Sequence, residues 1–152
     1  MKPKFITVHC SATPPSKSHI GVACIRAMHL SRGFSDIGYH AVISRDGHWL
    51  PGRPIEKQGA GVKGHNKDNI HICLIGGVDS NGKPEFNYTE QQMSTLRYRI
   101  TDLCSTYGIR QENIKGHRDW FPDLNGDGVI DKRDWMKDCP CFDVQSKLNE
   151  WL

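Results

Sequence analysis

From Phe5 to His9 the chain alternates Phe, Ile, Thr and Val before a His-Cys pair. That period of two predicts a first strand ending at chemically useful side chains. From about Gly21 to Arg32 the spacing changes: Val22, Ile25 and Met28 recur every three residues and Gly33 supplies a stop, which predicts a helix. Tyr39 to Ser44 again reads as a strand, Arg45-Asp46-Gly47 as a turn, and His48 to Leu50 as its antiparallel return. Gln58 to Asn69, rich in Gly, Lys, His and Asn, follows neither period and is expected to be a surface loop. Ile70 to Ile75 is a mostly apolar run of the kind found in a central strand, closed by Gly76-Gly77. The strongest helical signal follows. Thr89 and Gln92 form a capping box, and Met93, Leu96, Ile100, Leu103, Cys104 and Tyr107 make an apolar stripe ending at Gly108. Ile114 to Gly116 predicts a short strand leading into His117, and Asp143 to Leu152 a last helix with Val144, Leu148, Trp151 and Leu152 on one side.

Strands and helices therefore alternate, with one hairpin, and the fold class is α/β: a central mixed β-sheet flanked by about three helices. The 152 residues, 37% of them hydrophobic, suffice for one domain with a real core, taken here as residues 1–152. Lys and Arg outnumber Asp and Glu by 20 to 17, with no basic run of the kind that binds nucleic acid. The start, MKPKFITVHC, lacks an apolar stretch of signal-peptide length, and no segment approaches the roughly 20 apolar residues of a membrane span. Synthesis in the cytoplasm without a signal peptide, and a monomeric state, are the expectations. The six cysteines lack zinc-ribbon spacing, and several lie in apolar runs where a thiol behaves as a small hydrophobe.

Any one of the eight histidines, taken alone, is more often structural than a ligand. Position singles out His9 and His117, each at the end of a predicted strand and so able to point into one cleft. Cys139, just before the last helix, adds a thiolate. Two imidazoles, one thiolate and a water form a known zinc arrangement. The spacing from His9 to His117 to Cys139 is long, so the geometry has to come from the fold.

The segments VHCSAT (8–13), RGFSDIGYHAVISRDG (32–47), GAGVKGHN (59–66), ICLIGGVD (72–79), GHRD (116–119) and KDCPCFD (137–143) stand in the order seen in type 2 N-acetylmuramoyl-L-alanine amidases. The chain most resembles the bacteriophage lysozyme-type members, relatives of the peptidoglycan recognition proteins, over nearly its whole length. The resemblance implies a mixed sheet with zinc in an open groove, and hydrolysis of the amide between the lactyl group of N-acetylmuramic acid and L-alanine in peptidoglycan, as in endolysins. It implies His9, His117 and Cys139 as zinc ligands, with Tyr39 and Lys137 assisting catalysis. It also implies peptidoglycan as the partner, and cell-wall action by a holin-type route. The chain departs from the pattern at two loop positions: Gly61 where relatives commonly place His, and His65 where Tyr is frequent. His40, next to Tyr39, is expected to point to the opposite face as a structural residue.

Shorter relatives lack the stretch at residues 123–134, DLNGDGVIDKRD. Asp123, Asn125, Asp127, Asp131 and Asp134 offer side-chain oxygens and Val129 a backbone carbonyl, with Gly128 at the sharp turn, in the pattern of an EF-hand or dockerin calcium loop. The final ligand position holds Asp rather than Glu, and the bland alternative is an acidic surface turn. Three other functions stand beside the amidase: a non-catalytic peptidoglycan-binding module, against which Cys139 speaks; a dockerin-type domain, which needs a second loop; and a cysteine peptidase using Cys10 or Cys141.

Overall fold

A computed structural model of the chain describes residues 1–121 and 138–151. Its strands are β1 (Phe5–Cys10), β2 (Ala41–Ile43), β3 (Trp49–Pro51), β4 (Asn69–Leu74) and β5 (Ile114–Gly116), and its helices α1 (Val22–Ser31), α2 (Glu90–Tyr107) and α3 (Val144–Trp151). The strands form one sheet in the order β3-β2-β4-β1-β5. β1 is parallel to both β4 and β5, β2 is parallel to β4, and only the β2–β3 hairpin is antiparallel, so the expected mixed sheet with three flanking helices is present.

Alternation along the two central strands sorts their side chains onto opposite faces. Ile6, Val8 and Cys10 lie beside Ile70, Ile72 and Leu74. This face packs against Leu96, Ile100 and Leu103 of α2 and Val144 and Leu148 of α3. Fully burying each such Ile, Val or Leu contributes about 1.5–3 kcal/mol, which makes this layer the main stabilising core. On the opposite face Val42 and Cys73 pack with Ile25 of α1, Ile37 and Ile75. That face also carries a polar row, Thr7 and His9 beside Asn69 and His71, all fully buried.

The capping box at α2 forms in both directions, with Gln92 N donating to Thr89 Oγ1 and Thr89 N to Gln92 Oε1. Gln92 does more than cap. Its Nε2 donates to the carbonyls of Ile43 and Ile75 at 3.2 and 2.8 Å, tying the start of α2 to the ends of β2 and β4. Gly108 closes the helix in the left-handed conformation at φ 69°. Tyr107, expected on the apolar stripe, is 40% exposed; Ile109, just past the cap, folds back into the core in its place. The hairpin also differs slightly from expectation. His48 N donates to Ser44 Oγ and Ser44 N to His48 O, which lengthens the turn and starts β3 at Trp49. Among the described residues no helix is long and apolar enough to cross a membrane.

Candidate metal centre

His9 sits near the C-terminal end of β1 and His117 directly after β5, so parallel strands deliver both imidazoles to one edge of the sheet. In open α/β sheets this carboxyl end is where ligands bind. Local sequence explains how Cys139 reaches them. Gly116, before His117, lets the next segment approach closely: a Cβ there would lie 2.7 Å from Pro140 Cδ. The Arg118 guanidinium binds the Asp138 carboxylate at 2.6 Å, and Arg118 N donates to Cys139 O at 2.9 Å. Asp119 Oδ2 accepts from Gly116 N, and the Tyr88 hydroxyl donates to Pro140 O at 2.6 Å. GHRD and the DCP that follows Lys137 in the sequence are thus held together by the ion pair of Arg118 with Asp138 and the backbone bond beside it, with Tyr88 fastening Pro140.

The centre that results is small and buried. His9 is 0% exposed, His117 9% and Cys139 7%. One ligand atom from each lies within 4.8 Å of the others. His9 Nδ1 and His117 Nδ1 are 3.2 Å apart. Two nitrogens on one tetrahedral zinc, bonded at 2.0–2.1 Å, lie about 3.3 Å apart, so the imidazole pair fits that ion. Cys139 Sγ accepts the Cys10 backbone N–H at 3.0 Å. Burial pushes the Cys139 thiol well up, so a neighbouring cation is what would hold it as thiolate. The donor set, two imidazoles and one sulfur, leaves one tetrahedral position open, as catalytic zinc requires.

Two adjoining cavities of about 340 and 320 Å³ share His29, Arg32, Tyr39 and His117, and together they make the cleft over the centre. Arg32, Lys63 and Asn66 line one side, while Cys139 and Cys141 line the other. The Tyr39 ring lies 4.8 Å from that of His9. Burial, seconded by the charges of Cys73, Cys139 and Cys10, holds its hydroxyl well above the ordinary tyrosine range. Tyr39 therefore stays a proton-bearing donor at any working pH. His29, whose Nδ1 accepts from Gly38 N at 2.8 Å, supports Tyr39 edge-on with ring centroids 5.1 Å apart.

The remaining sequence-derived residues fall into place as follows. His40 is structural: its Nε2 donates to Lys57 O and its Nδ1 accepts from His71 N. His65 stacks on Trp120 with centroids 4.6 Å apart, and Asn66 Oδ1 accepts from the N–H groups of Gly61 and Val62. Cys10 packs in the same layer as Cys139 and lines the cleft beside Cys139 and Cys141, and all six cysteines are free thiols. Lys137 and the calcium-loop positions Asp123, Asn125, Asp127, Val129, Asp131 and Asp134 lie outside the described residues. Sequence reasoning missed one residue, His71. Its Nδ1 lies 2.9 Å from His9 Nε2, and burial, then the charges of His40, His117 and Arg53, push it down to about 3, so its ring is neutral. The signal was there in alternation, since Asn69 and His71 share the parity that places Thr7 and His9 on the polar face.

The family model described as N-acetylmuramoyl-L-alanine amidase matches residues 1–141. The endolysin of Enterobacteria phage K11 is 40% identical over 138 residues, 91% of this chain and 80% of that protein. Among solved structures, the endolysin N-acetylmuramoyl-L-alanine amidase LysCS of Clostridium intestinale superposes with a TM-score of 0.72 at 26% identity, covering 98% of this chain and 85% of its own. Bumblebee PGRP-SA shares the fold, with a TM-score of 0.73 at 22% identity, covering 100% of this chain and 83% of its own.

Proposed function

As the chain belongs to the N-acetylmuramoyl-L-alanine amidase family and acts on peptidoglycan, we propose that it does so as a zinc hydrolase. In this reading it cleaves the bond between the lactyl group of N-acetylmuramic acid and L-alanine, with His9, His117 and Cys139 holding the metal. The observation that carries the reading is the convergence of these three side chains, brought from positions far apart in the chain to one cleft edge. When bound, zinc supplies a water acidified towards a pKa of about 7 and a Lewis acid for the scissile carbonyl.

The chain's own residues do the rest. The Tyr39 hydroxyl, kept protonated by burial, donates to the oxygen on which negative charge grows as water adds to the amide. Lys137 is proposed as a second donor, and either group can pass a proton to the leaving L-alanine amine. The basic flank of Arg32 and Lys63 suits the carboxylates of a stem peptide, while the half-buried Phe34 offers an apolar wall. The near-complete burial of His9 and Cys139 excludes bulk water from the ligand side of the centre. Calcium in the 123–134 loop, one domain with that loop inserted, and delivery to the wall by a holin-type route complete the proposal.

A module that only bound peptidoglycan would have no use for a buried thiol beside two imidazoles. The test is elemental analysis of purified protein together with assay of peptide release from peptidoglycan. About one zinc per chain is expected, and His9→Ala and Cys139→Ala should lose both zinc and activity. Full activity in a metal-free preparation, or in either variant, would refute the zinc mechanism.

A further inference from the structure

The centre's ligands leave one buried imidazole without a role. His71, midway along β4, is 0% exposed, and its Nδ1 lies 2.9 Å from His9 Nε2. Its own Nε2 is buried and has no hydrogen-bond partner among the described residues. An apolar side chain of similar size would avoid burying that unpartnered nitrogen, so packing alone does not explain a histidine. The surroundings are nonetheless shaped around this ring. His71 N donates to His40 Nδ1 at 2.9 Å, and the two rings lie parallel with centroids 5.9 Å apart. On the loop side two glycines make room: a Cβ on Gly61 would fall 2.5 Å from His71 Nδ1, and one on Gly59 would fall 2.8 Å from His71 Cδ2. Gly61 is the loop position where the family resemblance leads one to expect His. Here the space a loop side chain would take is filled by a ring from the sheet.

If His9 gives its Nδ1 lone pair to a metal, a reading on which this inference rests, its proton must stand on Nε2. His71 Nδ1 is placed to accept that proton in a hydrogen bond, which leaves the proton of His71 on the unpaired Nε2. We infer that His71 is the positioning residue of the centre: it fixes the tautomer and tilt of His9, and Gly59 and Gly61 are the glycines that admit it. Metal-binding histidines ordinarily hand this second proton to a carboxylate, a backbone carbonyl or water, and removing such a partner weakens metal binding by about 10- to 100-fold. In this chain a neutral imidazole takes that place.

The experiment is zinc affinity measured by chelator competition on the wild type and on His71→Leu, His71→Ala and His71→Asn, with the melting temperature recorded for each. Asn places an acceptor oxygen near the position of Nδ1, whereas Leu and Ala place none. The expected result is a loss of about 10- to 100-fold for Leu and Ala, and affinity within about threefold of wild type for Asn. Equal affinity in all four proteins, or equal losses in all three variants, would overturn the role of His71 while leaving the zinc reading intact. A wild type that binds no zinc would overturn both. Nitrogen NMR of the zinc-loaded wild type provides a check that needs no variant: His9 and His71 should both carry their protons on Nε2, and a proton on His71 Nδ1 contradicts the inference.

Discussion

Gly116→Ala puts the clamp between the two ligand-bearing motifs under direct strain. The backbone at Gly116, φ −80° and ψ 161°, is open to any L-residue, so the substitution acts through space alone. Its Cβ would stand 2.7 Å from Pro140 Cδ, inside ordinary carbon contact by about 0.7 Å or more, and would also meet Asp119 Oδ2 and Val144 Cγ2 at 3.4 Å. Neither side yields easily, because the proline ring is rigid and Val144 is buried in the first turn of α3. The 138–141 segment must therefore draw away from β5. That stretches the bond from Arg118 N to Cys139 O and moves Cys139 away from His117. Overpacking of this kind costs about 1–3 kcal/mol. For a chain of this size that is a fall in melting temperature of about 2–12 °C. Scanning calorimetry with zinc present should show this fall, and chelator competition should show weaker zinc binding than in the wild type. A variant that melts within a degree of the wild type and binds zinc equally well would mean that the close approach at Gly116 does not set the centre's geometry.

Gln92→Leu removes two donated and two accepted hydrogen bonds at a fully buried site. With the Ile43 and Ile75 carbonyls each losing a donor, a loss of about 2–4 kcal/mol is expected in urea unfolding, and less than 1 kcal/mol would contradict the stitching role. Tyr39→Phe should lower kcat for peptide release by about a hundredfold or more, with KM little changed, and a rate near wild type would remove Tyr39 from the chemistry. Burial lowers both His29 and His40. Above the ordinary histidine value neither state carries the proton. As pH falls below about 6.5 the unfolded chain takes it up more readily than the fold does, so stability should fall, by at most about 1.4 kcal/mol per pH unit for each ring. Melting temperatures that stay flat from pH 7 to 5 would refute this.

Much of the architecture was legible because single residues carry strong local signals. The Thr89 and Gln92 pair set the start of α2, Gly108 set its end, and the alternation in ITVH placed His9 on a strand whose neighbours bury it. What stayed hidden lies in tertiary geometry. Tyr107 fits the helical stripe, yet Ile109 takes its place in the core once the chain turns at Gly108. His71 was concealed within an apolar run, because its meaning depends on the parallel register that sets Thr7 beside it and brings His9 within hydrogen-bond reach. The loop glycine at position 61 read only as a departure from the family pattern, whereas in the fold its missing side chain leaves the space that His71 fills.

The central claim is the bond that is cut and the sulfur that makes cutting possible. Mass spectrometry of purified peptidoglycan digested by the wild type and by Cys139→Ser tests both together. The wild type should release intact stem peptides with a free L-alanine amine and leave glycan strands with free lactyl carboxyls, while Cys139→Ser releases neither. Shortened sugar fragments or cut stem peptides, or full release by Cys139→Ser, would contradict the account.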